Sequence, residues 1–288
     1  MGIMQGSKLI RKLVALALEE DLSFGDITAS LTVPETHSSQ AEIVAKQRLV
    51  MCGEEILPTI LQEGHWGISC AIKVQDGAVV EPGTVIAELS GLTRELLAAE
   101  RTMLNFLQRL CGVATYTRDF CSVEPELIVL DTRKTMPGWR VLDKYAVRTG
   151  GGRNHRFCLG DMILVKNNHI DAHPEGIRGA LADIASHKPL YMPWEVEVRD
   201  IQELAIALEY KPTIIMLDNF TDEAIGSAVA LVRKQSERPL IEVSGGITRA
   251  RLAAIRAAGA DAVSVGALTT QALNVDISMR IRAHRHAQ

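Results

Sequence analysis

The sequence predicts an α/β protein built on a parallel sheet, and three observations carry that prediction. Six short apolar runs, LIVLDTRK (127–134), MILVKNNHI (162–170), WEVEVRD (194–200), TIIMLDN (213–219), LIEVSGG (240–246) and AVSVGAL (262–268), end in polar or glycine residues. Helical patterns such as IQELAIALEY, EAIGSAVALVRKQ and RARLAAIRAAGA separate the later runs. Strands alternating with helices imply a parallel sheet buried on both faces. Polar residues at the C-terminal end of each strand are the active-face arrangement of a β/α barrel, whereas an open doubly wound sheet would gather them at one crevice. Six runs rather than eight predict an irregular, incomplete TIM-like α/β barrel.

The 288 residues suffice for one large or two ordinary domains, and an apolar content of 47% fills a core. Aromatics are only 4%, so Leu, Ile, Val and Ala must do the filling. With 31 basic against 35 acidic residues, the chain lacks the basic excess of a nucleic-acid binder. Five widely spaced cysteines (Cys52, Cys70, Cys111, Cys121, Cys158) contain no C-x-x-C pair. They predict reduced, buried thiols in a cytoplasmic protein. No apolar run approaches the length of a membrane span.

Taken in order, residues Ser7 to Leu22 place Leu9, Ile10, Leu13, Leu16 and Ala17 at helical spacing, with Ser7 as the candidate cap. The apolar part of this stretch is shorter than a signal-peptide core and is followed by acids, so it reads as an amphipathic helix. Short β-branched segments follow, broken by turn signals at Asp76-Gly77 and Pro82-Gly83, which is a meander pattern. From Thr93 a long helical pattern carries Leu96, Leu97, Met103, Leu104, Leu107 and Leu110 on its apolar side and Arg101 on its polar side.

The window Asp131 to Ile170 then reverses the overall charge. Arg133, Lys134, Arg140, Lys144, Arg148, Arg153, Arg156 and Lys166 face only Asp131, Asp143 and Asp161. A local excess of this kind attracts anions. Three glycines, Gly150 to Gly152, mark a tight bend or a close approach within it. Two later strand ends are also glycine-rich: Ser244-Gly245-Gly246 and Val265-Gly266-Ala267. Such loops after the last barrel strands cradle phosphate through bare backbone N–H groups. Glu195 and Glu197 alternate with Val196 and Val198, the pattern of a half-exposed strand. His169 reads as a structural histidine, and the basic end SMRIRAHRHAQ as a solvated tail or last helix.

TRKTMPG, KYAVRTGGGRNHR, ILVKNNHI, EVEV, MLDNF and EVSGGI, in this order, resemble the quinolinate phosphoribosyltransferase family. EEDLSFGDIT and ERTMLNFLQRLCGVAT match as well, so the likeness spans essentially the whole chain. The resemblance implies an N-terminal α/β sandwich domain over 1–111, joined by the C-terminal segment 271–288, beside a barrel domain over 112–270. It further implies a homodimer or higher homo-oligomer in which Arg101 enters the partner's site. Thr132, Arg133, His155, Arg156 and Lys166 would hold quinolinate, with Lys134 reaching both substrates. Glu197 and Asp218 would face the ribose and the magnesium of phosphoribosyl pyrophosphate, making Lys134, Glu197 and Asp218 the implied catalytic groups. Ser244, Gly245, Gly246, Val265, Gly266 and Ala267 would take the 5-phosphate, and no tightly bound organic cofactor is implied.

The implied reaction joins quinolinate to the sugar with loss of pyrophosphate and carbon dioxide. Guanidinium forks suit the two carboxylates, and lysine acts as a point charge on phosphate. One departure stands out: Asn167 follows Lys166 where the family often has an acid. That leaves Glu197 and Asp218 as the metal-side candidates. The alternatives are a related pyrophosphorylase acting on another anionic base, a Schiff-base aldolase using Lys134 or Lys166, and a nucleotide-binding regulator without turnover.

Overall fold

The computed structural model describes residues 8–282. Ser7, the expected helix cap, and the last part of the basic tail, 283–288, lie outside the described residues. Two compact units divide the chain. Met1–Arg118, Thr135–Gly151 and Ala267–Gln288 belong to one, and Asp119–Lys134 and Gly152–Gly266 to the other. Among the described residues no helix is long and apolar enough to cross a membrane.

The first helix, α1 (Lys8–Leu22), buries Ile10, Val14 and Leu18. That is a narrower stripe than the expected one, and Leu9 and Leu16 are exposed. The segment holds more apolar residues than one face can seat, so periodicity alone allowed two solutions. Helix α2 (Ile27–Thr32) starts where Asp26 accepts the Ala29 N–H at 2.8 Å, a side-chain cap. Then come β1 (Ser38–Ala45), β2 (Leu49–Val50), α3 (Ile56–Glu63), β3 (Ser69–Ile72), β4 (Val79–Val80) and β5 (Val85–Leu92). Both predicted turns form, with Gly77 and Gly83 at φ 83° and 89°, where a Cβ is disfavoured. Helix α4 (Thr93–Cys121) buries Leu96, Met103, Leu104, Leu107 and Leu110 as expected.

The chain passes through β6 (Ile128–Leu130) of the second unit and returns to the first for α5 (Arg140–Gly150). Helix α5 is fixed to α4. Arg109 donates to the buried Asp143 carboxylate at 3.1 and 3.0 Å, and Trp139 stacks on Phe106 with centroids 4.7 Å apart. Gly150 packs so tightly that a Cβ would stand 2.5 Å from the Ala114 carbonyl oxygen. Gly151 ends the helix in the left-handed region at φ 102°. Gly150 and Gly151 therefore supply the close approach and the tight bend expected of the glycine triplet.

The second unit continues with β7 (Ile163–Val165), α6 (Asn167–Ala172), α7 (Gly176–His187), β8 (Trp194–Val198), α8 (Ile201–Glu209) and β9 (Ile214–Asp218). It closes with α9 (Asp222–Val232), β10 (Leu240–Ser244), a 3-10 turn at Arg249–Arg251, α10 (Leu252–Ala258) and β11 (Ala262–Ser264). All six predicted runs are strands. They form one parallel sheet in the order β6-β11-β10-β9-β8-β7. Strands β6 and β7, consecutive in the chain, lie at its two edges, so the barrel is incomplete as expected. Along one face the register sets Glu197, Met216, Glu242 and Ala262 side by side. The other face carries Val196, Ile215 and Ile241, all fully buried. Every residue of β8 is buried, so its Glu/Val alternation is not that of a half-exposed strand. It separates a polar inner face from an apolar outer one.

Last come α11 (Ala267–Thr270) and β12 (Ile277–Ile281) of the first unit. In place of a solvated tail or helix, residues 277–281 pair antiparallel with β1, giving a sheet ordered β12-β1-β5-β3. Arg280 pairs with the buried Glu42 of β1 at 2.8 Å, an attachment that local composition does not show. All five cysteines are free, but only Cys52 and Cys111 are buried, and Cys158 is exposed.

Candidate active site

The polar residues of the second unit gather where the strands end. Beyond β6, Asp131 is fully buried and its carboxylate takes Asn154 Nδ2 at 2.6 Å and the His155 backbone N–H at 2.9 Å. Arg153 bridges to Leu130 just before this point, so the loop carrying His155 and Arg156 is tied to the sheet edge. Thr132 Oγ1 accepts the Lys134 N–H at 3.0 Å and shapes the turn that presents Arg133 and Lys134. The Lys134 stem crosses Gly266 so closely that a Cβ there would stand 3.0 Å from its Cδ.

His155 Nε2 lies 2.9 Å from Glu195 Oε2 on β8 and 3.8 Å from Glu242 Oε2 on β10. Arg156 is only 8% exposed and donates to the Met162 carbonyl at 3.3 Å. Burial and the neighbouring Arg133 charge pull Arg156 below the usual guanidinium range, while Glu195 offsets them. Arg133 Nε is buried without a hydrogen-bond partner. Two guanidinium groups close enough to repel favour an anion between them.

At the end of β7, Lys166 Nζ pairs with Glu197 of β8. The Lys166 N–H donates to His169 Nδ1 at 2.8 Å, a helix-capping contact that gives His169 the structural role expected of it. Asp218, at the end of β9, has its carboxyl pushed up by burial and by Glu197. Asn219, Lys166 and Lys134 pull it back. Two carboxylates in mutual repulsion beside lysines form an oxygen donor set that suits a hard divalent cation. Asn167 holds a buried, unpartnered Oδ1.

Beyond β10, Gly245 and Gly246 adopt φ 87° and 58°, the left-handed region that turns backbone N–H groups toward an anion. Asn219, itself at φ 58°, donates its N–H to the Ser244 carbonyl at 2.9 Å and fills the space a Cβ on Gly245 would need. Arg251 donates to the Gly245 and Gly246 carbonyls at 3.4 and 3.2 Å and pairs with Asp222 at 2.7 Å. Val265 adds no donor: its side chain is buried and its N–H is spent on the Leu130 carbonyl at 2.9 Å. Ala267 opens α11.

The structure thus brings Thr132, Arg133, Lys134, His155, Arg156, Lys166, Glu197, Asp218, Ser244, Gly245, Gly246 and Gly266 into one unit. The basic window divides. Arg140, Lys144 and Arg148 sit on α5 of the first unit, and Lys144 is buried there. Arg101, exposed on α4, also belongs to the first unit, where it lines a cavity of about 250 Å³ with Leu13, Ala17 and Glu20. Sequence reasoning assigned nothing to Asp131, Glu242, Asn219 or Arg251, and passed over Glu195 as a surface strand position. Acidic residues within runs otherwise apolar were the available signal, since a charge inside a parallel strand must have a partner.

A parallel barrel with cations and carboxylates at one end of its strands is the catalytic domain of an enzyme for anionic substrates. A family model described as quinolinate phosphoribosyl transferase, C-terminal domain, matches residues 113–280, and its N-terminal counterpart matches 26–111. The chain is 39% identical over 280 residues to a probable nicotinate-nucleotide pyrophosphorylase [carboxylating] of Methanocaldococcus jannaschii, covering 94% of this chain and 96% of the relative. It is 37% identical to the nicotinate-nucleotide pyrophosphorylase [carboxylating] of Mycobacterium leprae, covering 93% and 96%. The solved nicotinate-nucleotide pyrophosphorylase of Francisella tularensis superposes with a TM-score of 0.88 at 36% identity, over 96% of this chain and 97% of that one. The chain belongs to the quinolinate phosphoribosyltransferase family.

Proposed function

We propose that this protein transfers the phosphoribosyl group of phosphoribosyl pyrophosphate to quinolinate and releases carbon dioxide, forming nicotinate mononucleotide for NAD biosynthesis. The observation that carries the reading is the set of Arg133, His155, Arg156 and Lys166 at the strand ends of a barrel whose inner face also holds Glu197 and Asp218. Arg133, Arg156, His155 and Lys166, with Thr132 shaping the loop, bind the two carboxylates of quinolinate. Lys134 reaches the pyrophosphate, and the Ser244-Gly245-Gly246 loop with Gly266 takes the 5-phosphate.

The pyridine nitrogen forms its bond to the anomeric carbon as the carbon–oxygen bond to pyrophosphate breaks. Glu197 and Asp218 stabilise the positive charge that develops on the sugar. Magnesium arrives on the pyrophosphate as part of the substrate, and these two carboxylates supply its protein-side oxygens. The carboxylate beside the ring nitrogen then leaves as carbon dioxide. Its bonding electrons remain on the carbon, next to the cationic nitrogen, until that carbon takes up a proton.

The reading carries an assembly with it: a homodimer or higher oligomer in which Arg101 completes the partner's site. Five free cysteines suit the reducing cytoplasm. The deciding assay supplies purified protein with quinolinate, phosphoribosyl pyrophosphate and magnesium. Nicotinate mononucleotide and carbon dioxide are expected in equal amounts. Pyrophosphate release with another anionic base, and none with quinolinate, would overturn the reading.

A further inference from the structure

The proposed chemistry makes no use of Glu195 or Glu242, yet both carboxylates are sealed inside the sheet at 0% and 1% exposure. One oxygen of each lies, with His155 Nε2, in a group whose atoms are all within 4.8 Å of one another. Glu195 Oε1, Glu242 Oε1 and Ser264 Oγ are buried with no hydrogen-bond partner. Two carboxylates so close and so dry do not both stay ionised unless something neutralises them. The neighbours supply little. Met216 of β9 and Ala262 of β11 flank Glu242 in register, and Ser264 of β11 adds only a hydroxyl. Arg156 acts on Glu195, and Asp131 is occupied with Asn154 and the His155 backbone. One proton on Glu242 removes a charge and supplies the missing donor.

We propose that Glu242 keeps its proton at neutral pH and, together with Glu195, forms a buried seat that orients the His155 ring and preserves its attraction for the substrate carboxylate. Glu195 and Glu242 are positioning residues. They act through His155, so the proposal rests on the reading of His155 as a quinolinate contact. Burial and the adjacent Glu195 push the Glu242 carboxyl up to about 8, with His155 and the Ser264 hydroxyl pulling the other way. Loss of that proton at higher pH places a new negative charge behind the anion site and weakens quinolinate binding.

The test compares wild type, Glu242→Gln, Glu242→Ala and Glu195→Gln. For wild type, KM for quinolinate rises about tenfold from about pH 7 to about pH 9, while KM for phosphoribosyl pyrophosphate moves little. Glu242→Gln, a neutral mimic of the acid, flattens that rise. Glu242→Ala raises KM for quinolinate at every pH, and so does Glu195→Gln, each with a smaller effect on kcat. A Gln variant as impaired as the Ala variant at neutral pH would overturn the proposal. So would identical pH profiles for wild type and Glu242→Gln, or a stoichiometric metal present in purified wild type and absent from Glu242→Gln.

Thermal melting judges the proton without any turnover. A folded-state value raised from 4.5 to about 8 means a contribution present below pH 4.5 and lost as pH rises through 8. Glu242→Gln therefore melts progressively above wild type across that window, and the gap levels off beyond it. A gap that stays constant sinks the proton assignment. If quinolinate is not turned over at all, the functional reading fails and takes the His155 role with it, while the melting curves still decide the Glu242 proton.

Discussion

Asp131 holds two donors at once, the Asn154 side chain and the His155 amide, and so fixes the loop that carries His155 and Arg156, the proposed quinolinate contacts. Removing a group that orients others costs about 10- to 100-fold in function when the site must be held to fractions of an ångström. Asp131→Ala is therefore expected to lower kcat/KM for quinolinate by about that factor, with Asp131→Asn closer to wild type. Steady-state kinetics with each substrate varied in turn checks it, and an unchanged KM for quinolinate would remove Asp131 from the site. Glu197 makes a different prediction, because in the proposed reaction the charge it faces exists mainly in the transition state. Glu197→Ala should reduce kcat about 100-fold and KM for quinolinate far less. An effect confined to KM would mean that Glu197 only holds Lys166. The motif TRKT made Arg133 and Lys134 legible, since charge at a strand end is visible in the string. Asp131 was not, because a carboxylate bonded inward to the backbone looks the same in sequence as one facing water.

Among the elements, the six barrel strands were legible for a physical reason: a strand buried on both faces reads as an unbroken apolar run. The last strand, β12, was not, since five residues of alternating character beside a basic tail carry no signal until β1 offers its edge. The glycine triplet was legible as backbone: the tight bend falls at Gly151, φ 102°, and the close approach at Gly150 against Ala114. Two substitutions separate a crowded helical glycine from an open one. Gly150→Ala drives a methyl against the Ala114 carbonyl oxygen and the Thr117 side chain, and should destabilise the protein by about 1–3 kcal/mol. Gly226, in α9, has open space where a Cβ would stand, with no atom within 4 Å, so Gly226→Ala should stabilise by roughly 0.5–1 kcal/mol. Denaturant midpoints report both. A neutral Gly150→Ala would show that the close approach to Ala114 is not constraining.

For the whole molecule, the strongest consequence of the proposed function concerns Arg101. It sits on a helix of the first unit, while Lys134 lies in the second, and each is expected to be indispensable. If each site takes Arg101 from one subunit and Lys134 from the other, neither single variant has an intact site. A hybrid dimer of Arg101→Ala with Lys134→Ala concentrates both defects in one site and leaves the other whole, because a two-fold interface repeats the same pairing on both sides. Random reassortment of equal amounts makes about half the dimers hybrids with one good site of two, so roughly a quarter of wild-type activity should return. Co-expression with two affinity tags isolates the hybrids, and the doubly captured species, with one good site of two, should show about half of wild-type activity. Both parent variants should melt like wild type, since Arg101 is exposed and Lys134 lies at the surface of its loop. Activity retained by Arg101→Ala alone would show that Arg101 serves no site. Two inactive parents whose hybrids stay inactive would place Arg101 and Lys134 in the same subunit's site and end the shared-site reading, while leaving the chemistry at Lys166, Glu197 and Asp218 untouched.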